Sequence, residues 1–551
     1  MYDRFGRAQE FFFSAITDTR ARVPMTSLTT ASPSAAAIGP AARLLAYADA
    51  LANRIYGSRA NPLYRSGAAT VALLVILLVT GLYLLLFYRV GSPYASVARI
   101  TDQVWLGRWI RGVHRFAGDA AVITALVHAF RMFAQRRSWG RRALPWVSGV
   151  ALVLLLLVCG WTGYVMVWDT FGQLLAVEGA RILDLIPLFS EPLGRAFAGE
   201  RPLPGAFFFL NLFLHIALPI ALGVGLLVHV SRVARPTLLP PRRLIWWWGG
   251  LLLVIALIFP MAMAPAADPL RLPAAVPIDV FYAFWLPVAR GVHAGWTAAG
   301  FASLIVLLGI VPRLTRPAAP DRPAPSEVNA RLCTGCEQCS LDCPYEAITM
   351  VTRHDGRATL LAHVDPARCV SCGICAGSCA PMGVGPAGRT GRDQLATARE
   401  FAEARVVGGE VIVIACARGA GGAGNAETFD RAPVLAVDCA GSLHTSVIEL
   451  LVRSGAGGVL VLACPKDDCW NREGAVWLEQ RMFHDREAEL QERVDRRRVA
   501  LAHASLAERA AALRALAEFR GRVAAIEHTT SEEDFDVLRL CDVPAHEEDV
   551  A

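Results

Sequence analysis

Residues 113–133 read VHRFAGDAAVITALVHAFRMF, and residues 211–230 read NLFLHIALPIALGVGLLVHV. Both stretches are apolar, and each carries two histidines fourteen residues apart: His114 with His128, and His215 with His229. In an α-helix fourteen residues is just under four turns, so two such rings share a face, about 21 Å apart along the axis. Ionisable groups inside a bilayer are costly and mark function. Two helices of this kind side by side offer two stacked bis-imidazole sites, one toward each membrane surface. A lone intramembrane histidine reads as well as a satisfied core residue or a proton relay. Four at matched spacing point instead to two b-type haems. His293 stands alone and reads as structural.

Outward from these stretches the chain divides by composition. Its 551 residues are 54% hydrophobic, and the apolar residues dominate positions 68 to 311. Six segments there are long enough for a bilayer of roughly 30 Å, which takes about 20 helical residues; they lie near 68–89, 113–133, 146–168, 211–230, 244–264 and 294–311. The loops RMFAQRRSWGRR after the second and SRVARPTLLPPRR after the fourth are arginine-rich, and the positive-inside rule puts both in the cytoplasm. Six crossings then put both termini there, in a multi-pass protein of a bacterial inner (cytoplasmic) membrane. Residues 1–42 do not read as a secretory signal; their Ser/Thr/Ala/Pro-rich second half predicts disorder, and Met25 is an alternative start. The net charge of +6 is almost wholly arginine, Lys466 being the only lysine. No basic stripe interleaved with aromatics suggests nucleic acid.

Glycines accompany the histidines. Gly67 and Gly81 in the first segment are fourteen apart, as are Gly149 and Gly163 in the third, and glycine permits the close backbone approach a haem needs. Arg111 and Arg131 each lie three residues from a histidine. They are candidates for propionate contacts, the alternative being cations that snorkel from helix ends. Helix direction pairs His114 with His215 and His128 with His229. On these residues, positions 43–235 resemble the N-terminal di-haem half of cytochrome b from cytochrome bc complexes, and GYVMVW at 163–168 is similar to that family's GYVLPW. The resemblance implies two haem b groups and a nearby quinone. Residues 236–312, with ADPLRLPAAVPIDVFYAFW between two further helices, look like a shortened following half. Val167 replaces the proline, the family's Pro-Glu-Trp-Tyr motif is absent with Asp279 only a loose counterpart, and no Rieske-type motif occurs.

Five prolines in VPRLTRPAAPDRPAPSEVNA make residues 313–326 a stiff spacer. Beyond it the chain is rich in cysteine: twelve of its fourteen lie between Cys333 and Cys469, Cys159 and Cys541 standing apart. CTGCEQCSLDCP at 333–344 and CVSCGICAGSCAP at 369–381 are each a C-x-x-C-x-x-C-x-x-x-C run. In such paired runs three thiolates hold one cubane and the fourth crosses to the other. One 4Fe–4S cluster takes Cys333, Cys336, Cys339 and Cys379; the other takes Cys369, Cys372, Cys375 and Cys343. Zinc knuckles use pairs of ligands rather than paired runs of four. Residues 327–390 thus resemble a bacterial two-cluster ferredoxin.

Three apolar runs, EVIVIA, PVLAVD and GVLVLA, are each followed by a cysteine: Cys416, Cys439 and Cys464. Such runs suggest a parallel sheet, whose ligands gather at the carboxyl ends of its strands. Cys469 from CPKDDCW joins them, and four thiolates suit a 2Fe–2S cluster, with zinc or no metal as alternatives. VDCAGS, GAGGVLVLAC and DDCW make residues 408–525 resemble the delta subunit of methyl-viologen-reducing hydrogenase, although that family's second early cysteine is missing after Cys416. Residues 526–551 form an acidic tail.

The expected architecture is multi-domain: an all-α transmembrane bundle of about six helices, an α+β ferredoxin-like domain, then an α/β parallel-sheet iron–sulfur domain with C-terminal helices. The expected wire runs from 2Fe–2S through two 4Fe–4S clusters to two haems, with the iron–sulfur domains in the cytoplasm. It serves the quinone pool in a lipid-embedded assembly, a homodimer being one expected form. No flavin or nucleotide motif is visible, so the donor is a partner docking at the 2Fe–2S module: a flavin-dependent, heterodisulfide-reductase-like, hydrogenase or formate dehydrogenase subunit. The alternatives are an anchoring scaffold without quinone turnover, or outer quinol oxidation driving electrons inward.

Overall fold

The computed structural model describes residues 39–103, 106–185, 193–197, 203–272, 279–318, 323–420 and 428–526. The acidic tail with Cys541, part of the proline-rich spacer and most of the N-terminal segment expected to be disordered lie outside these residues. That segment ends earlier than expected, because α1 (Pro40–Tyr56) starts within it on a proline in its first turn. The helices α2 (Ser66–Phe87), α3 (Pro93–Asp102), α4 (Gly107–Ala134), α5 (Ala143–Val167), α6 (Thr170–Leu183), α7 (Gly205–Ser231), α8 (Arg242–Ile258), α9 (Leu286–Gly291) and α10 (Ala294–Leu314) follow.

Among the described residues, α2, α4, α5, α7 and α10 are long and apolar enough to cross a membrane. Their outward faces carry bare apolar side chains such as Leu86, Ile220 and Leu227, and a spanning helix satisfies its backbone internally while showing such a face to lipid. Trp246 and Trp247 are exposed near one end of the bundle and Trp296 near the other, as in the aromatic belts at membrane interfaces. Of the six expected spans five meet that length, and α8 is shorter than expected. α8 has only 17 residues, about 26 Å at 1.5 Å each. It stops at Ile258, because the residue before a proline is pushed out of helical geometry and Phe259 precedes Pro260. It still runs between the two ends: Arg111 Nη1 donates to Met261 O (2.7 Å) and Tyr94 Oη to Ala264 O (3.2 Å) at the far end. α10 returns, and Thr315 just beyond it lies 2.8 Å from Ser138 through their hydroxyls. The cysteine-rich domains are therefore carried on the His128/His229 end of the bundle.

Within the bundle α2 packs along α4 and α5 along α7. Tyr282 wedges between α4 and α5, where only glycines leave room. A Cβ on Gly160 would fall 1.9 Å from its ring, and one on Gly118 3.1 Å from its hydroxyl.

The two cysteine runs fold as near repeats. β1 (Ser326–Val328) pairs antiparallel with β4 (Val384–Pro386), and β2 (Ile348–Val351) with β3 (Leu361–Val364). Each run turns into a one-turn helix, α11 (Gln338–Leu341) or α12 (Ile374–Gly377). Glu337 and Gly373 precede these helices at φ 65° and 76°, so the left-handed turn falls at the same place in both repeats. α13 (Gly391–Arg405), held by a Thr390–Asp393 capping box, leads into the last domain.

There β5 (Val411–Cys416), β6 (Thr428–Phe429), β7 (Ala432–Val437), β8 (Gly458–Ala463) and β9 (Val499–His503) form one sheet in the order β6-β7-β5-β8-β9, parallel except for the edge strand β6. α13, α14 (Thr445–Arg453) and α15 (Gly474–Phe483) cover one face, and α16 (Arg509–Ile526) covers the other. Phe519 of α16 is fully buried on the β5–β8 face, where Gly458 leaves space for its ring. Truncating a buried phenylalanine removes about 3–5 kcal/mol. Phe519→Ala is expected to lower the melting of this domain by that order in circular dichroism, leaving the bundle helices folded.

Candidate electron-transfer sites

The four histidines meet in two pairs across α4 and α7. The His114 and His215 rings face each other with centroids 6.5 Å apart. A metal–imidazole bond of about 2 Å on each side, plus about 1.2 Å from nitrogen to ring centre, sets coaxial ligands about 6.4 Å apart. The spacing therefore accommodates one metal between the rings. His128 and His229 line a common cavity at the other end.

Each of the four glycines lies against one of these rings. A Cβ on Gly67 would fall 2.9 Å from His128, on Gly81 3.2 Å from His114, on Gly149 3.3 Å from His229 and on Gly163 3.0 Å from His215. The glycines thus clear space for the imidazoles themselves. A further regularity was not expected from the sequence: a hydroxyl residue precedes every one of them, in Ser66-Gly67, Thr80-Gly81, Ser148-Gly149 and Thr162-Gly163. Thr80 Oγ1 lies 2.8 Å from His114 Nδ1, Ser148 Oγ 3.0 Å from His229 Nδ1 and Thr162 Oγ1 2.9 Å from His215 Nδ1. These hydroxyls already donate to backbone carbonyls, Thr80 to Ile76, Ser148 to Pro145 and Thr162 to Cys159. A hydroxyl has one proton to give, so Nδ1–H of each ring is the donor. Nε2 is then left as a bare lone pair, the form in which imidazole binds metal. Ser66 Oγ is buried and unbonded beside His128.

The two candidate arginines have other partners. Arg111 donates to Met261 O. Arg131 lies over the Tyr64 ring and pairs with Asp49 (2.8 Å) on α1 and with Asp468 (2.5 Å) of the last domain. Asp279 is held in place: Arg115 Nη2 lies 2.7 Å away, Tyr164 Oη donates to it, and the Phe281 and Tyr282 amides cap its other oxygen at 2.9 and 2.6 Å. Burial pushes its pKa up, but these donors outweigh it and hold the carboxyl below its ordinary range. His293 caps α10 through Gly295 N.

The cysteine runs separate as their spacing predicts. Cys333, Cys336, Cys339 and Cys379 line one small cavity. Cys343, Cys369, Cys372 and Cys375 act on one another in a second group. Burial, with the neighbouring thiols, pushes Cys375 up to about 12, so stable thiolates there need a compensating cation. Among the described residues no group of three or more such side chains converges as a single metal ion would require.

Cys416, Cys439, Cys464 and Cys469 are all buried at the carboxyl ends of β5, β7 and β8. They form two couples. Cys416 and Cys464 lie 3.6 Å apart through sulfur, and Cys439 hydrogen-bonds Cys469. The thiol of Cys464 lowers its partner Cys416 to about 7. Gly474 closes the site, its Cβ position 2.9 Å from Cys439 Sγ and 3.4 Å from Cys469 Sγ.

The loop that carries Cys469 is gripped by the bundle. Arg65 pairs with Asp467; Arg131 and Gln135 hold Asp468; Arg137 donates to the carbonyls of Cys469 (3.2 Å) and Trp470; Arg235 pairs with Glu473 (2.9 Å). Arg472 reaches back to the carbonyls of Arg235 and Pro344. Apart from Arg131, which was expected at a propionate, these residues were not anticipated, and nothing local in the sequence marks them. One cavity of about 2070 Å³ joins His128, His229, Gly67 and Gly149 to Tyr345, Cys369, Cys372, Cys469 and Trp470. The structure sets the loop of the Cys416/Cys439/Cys464/Cys469 set against the bundle, whereas the wire expected from the sequence has this set at its outer end.

Comparison with known proteins agrees with the motifs. Residues 52–237 match the family model of cytochrome b/b6/petB, residues 332–383 a 4Fe-4S dicluster domain, and residues 411–527 the delta subunit of methyl-viologen-reducing hydrogenase. The three regions follow in the order read from the sequence. Solved structures similar to this chain include a chain of a hyperthermophilic respiratory Complex III, 16% identical, covering 47% of this chain and 78% of that one with a TM-score of 0.38.

Outer-shell partners of metal-bound histidines are worth about 10–100-fold in affinity. Ser148→Ala is expected to weaken haem retention at the His128/His229 pair by that factor, read by pyridine haemochrome after detergent washing, with the His114/His215 pair retained. Gly163→Val, which forces the His215 ring aside, is expected to remove the other centre.

Proposed function

We propose that this chain is the quinone-reactive electron-transfer subunit of a multi-subunit oxidoreductase of a bacterial cytoplasmic membrane. The observation that carries the reading is the His114/His215 spacing, together with rings at both pairs whose Nδ1 is occupied and whose Nε2 is free. Haem b at the two histidine pairs, 4Fe–4S groups at the two ferredoxin-like sets and 2Fe–2S at the coupled thiols supply one-electron chemistry when bound. Two thiol couples, each ready to hold one iron, favour 2Fe–2S over a single zinc.

The chain's residues fit these roles. Glycine admits the imidazoles, serine and threonine fix their tautomer, and lipid-facing leucines and valines keep water from the bundle core. Arginine-rich segments 135–142 and 231–243 flank the end that bears the cysteine domains, which supports a cytoplasmic location for that end. Quinone reduction takes up two electrons and two protons. Asp279, neutralised by Arg115 and bonded to Tyr164, is poorly suited to accept a proton at the far end. This favours reaction at the His128/His229 end, beside the large cavity.

The test uses the purified full chain in lipid nanodiscs. Dithionite is expected to give two b-type absorbance features, and a short-chain quinone is expected to reoxidise them. His229→Ala should abolish reoxidation by quinone while His114→Ala spares it. Haems indifferent to quinone would favour an anchoring scaffold instead.

A further inference from the structure

Resting on the reading above, the near repeat of the two cysteine runs shows where its halves differ. Each cysteine of the first run has a counterpart thirty-six positions later, Cys333 with Cys369 and Cys343 with Cys379. The strand register obeys the same offset: Ser326 of β1 lies opposite Pro386, and Ala362 of β3 lies opposite Met350. The amide donors obey it too. Ala347 N donates to Cys343 Sγ (3.3 Å), and its counterpart Gly383 N donates to Cys379 Sγ (3.2 Å). Each set of thiols receives one of these two bonds, so they do not tell the sets apart.

Ser326 and Ala362 are counterparts that break the symmetry. Each strand serves the set built mainly from the other run. Ala362 lines the small cavity with Cys333, Cys336, Cys339 and Cys379, and brings only a methyl group. Ser326 is buried among the thiols of the second set. Its Oγ lies 3.4 Å from Cys375 Sγ and 3.8 Å from Cys369 Sγ, and its amide donates to Cys369 Sγ at 3.3 Å. A thiolate has no proton to give, so toward ligating sulfurs the hydroxyl is the donor.

Hydrogen bonds to sulfur are among the influences that set a cluster's reduction potential. An added electron makes the sulfurs more negative, and a donor bonds a charged acceptor more strongly than a neutral one. The reduced form of the second centre is thus favoured by a hydroxyl where the first has a methyl. Water at the exposed Cys336 of the first set acts in the opposite sense, but a buried bond in a low dielectric is the stronger of the two. We infer that Ser326 is a positioning residue that holds the Cys343/Cys369/Cys372/Cys375 centre at the higher potential, so that an electron shared by the two ferredoxin-like centres settles there. One electron passes from the reduced first centre to the oxidised second, and no bond forms or breaks. Cys369 and Cys372 line the large cavity together with His128 and His229, so the electron is held on the cavity side of the ferredoxin-like domain.

The experiment is a redox titration of the full, cofactor-loaded chain in nanodiscs, with dithionite as reductant and electron paramagnetic resonance as readout. Two 4Fe–4S features are expected. Ser326→Ala should lower the potential of the higher one, changing its reduced-to-oxidised ratio by about tenfold, which is about 59 mV for one electron, and leave the other in place. Ser326→Thr, which keeps the hydroxyl, should restore it. Ala362→Ser should raise the lower feature, and Ser326→Ala combined with Ala362→Ser should invert the order. Electron–nuclear double resonance on the higher feature should show an exchangeable proton that Ser326→Ala removes, a signature that a merely structural serine would not give. A higher feature unmoved by Ser326→Ala, or a shift confined to the lower one, overturns the inference. Should Ser326→Ala fail to retain its second cluster, Ala362→Ser decides, and an unmoved lower feature overturns the inference. Absence of both 4Fe–4S features from the unsubstituted chain would instead fail the functional reading, and the inference with it.

Discussion

The bond from imidazole Nδ1–H to a serine or threonine oxygen, made over a missing side chain, is the constraint around which the membrane half is built. It fixes ring orientation and tautomer together, so that Nε2 of one helix can face Nε2 of another. The glycine beside each hydroxyl lets α2 approach α4, and α5 approach α7, closely enough for the bond to form. Ser66 keeps the pattern without the bond, its hydroxyl buried and unpaired next to His128. That orphaned group lies at the cavity end of the bundle.

How far the sequence could be read depended on whether a feature repeats along the chain. Histidines and glycines fourteen residues apart, and cysteines in two equal runs, are periodic, and periodicity survives folding because a helix or a tight turn maps it directly onto a face. The three strands ending in cysteine were legible for the same reason. The hydroxyl before each glycine was equally periodic and could have been found by asking what orients a ligating ring. The length of α8 was overestimated, since its hydrophobic run continues past Pro260 while its backbone does not.

The junction between bundle and sheet domain was not legible. Arg131 looked like a propionate partner because its neighbour His128 is only three residues away. Its carboxylates come from Asp49 on an earlier helix and from Asp468, more than three hundred positions later. No local pattern encodes such a meeting. It arises because the carboxyl edge of the sheet is pressed against one end of the bundle, which also sets the coupled thiols beside that end. Lys466, the single lysine, pairs with Glu479 within the sheet domain at 2.6 Å, and the cations of the junction are arginines.

That choice of cation has its own consequence. Guanidinium keeps its proton at any pH the protein meets, while an ammonium can lose it when buried. Under the proposed function, quinone reduction at this surface would consume protons and leave it locally alkaline. Lysines in this seam would risk losing charge just when electrons are passing, and the contact would slacken. With arginine on the bundle side, the clamp is indifferent to alkalinity. The seam would thereby hold through the alkaline excursion that the proposed quinone reduction creates beside it.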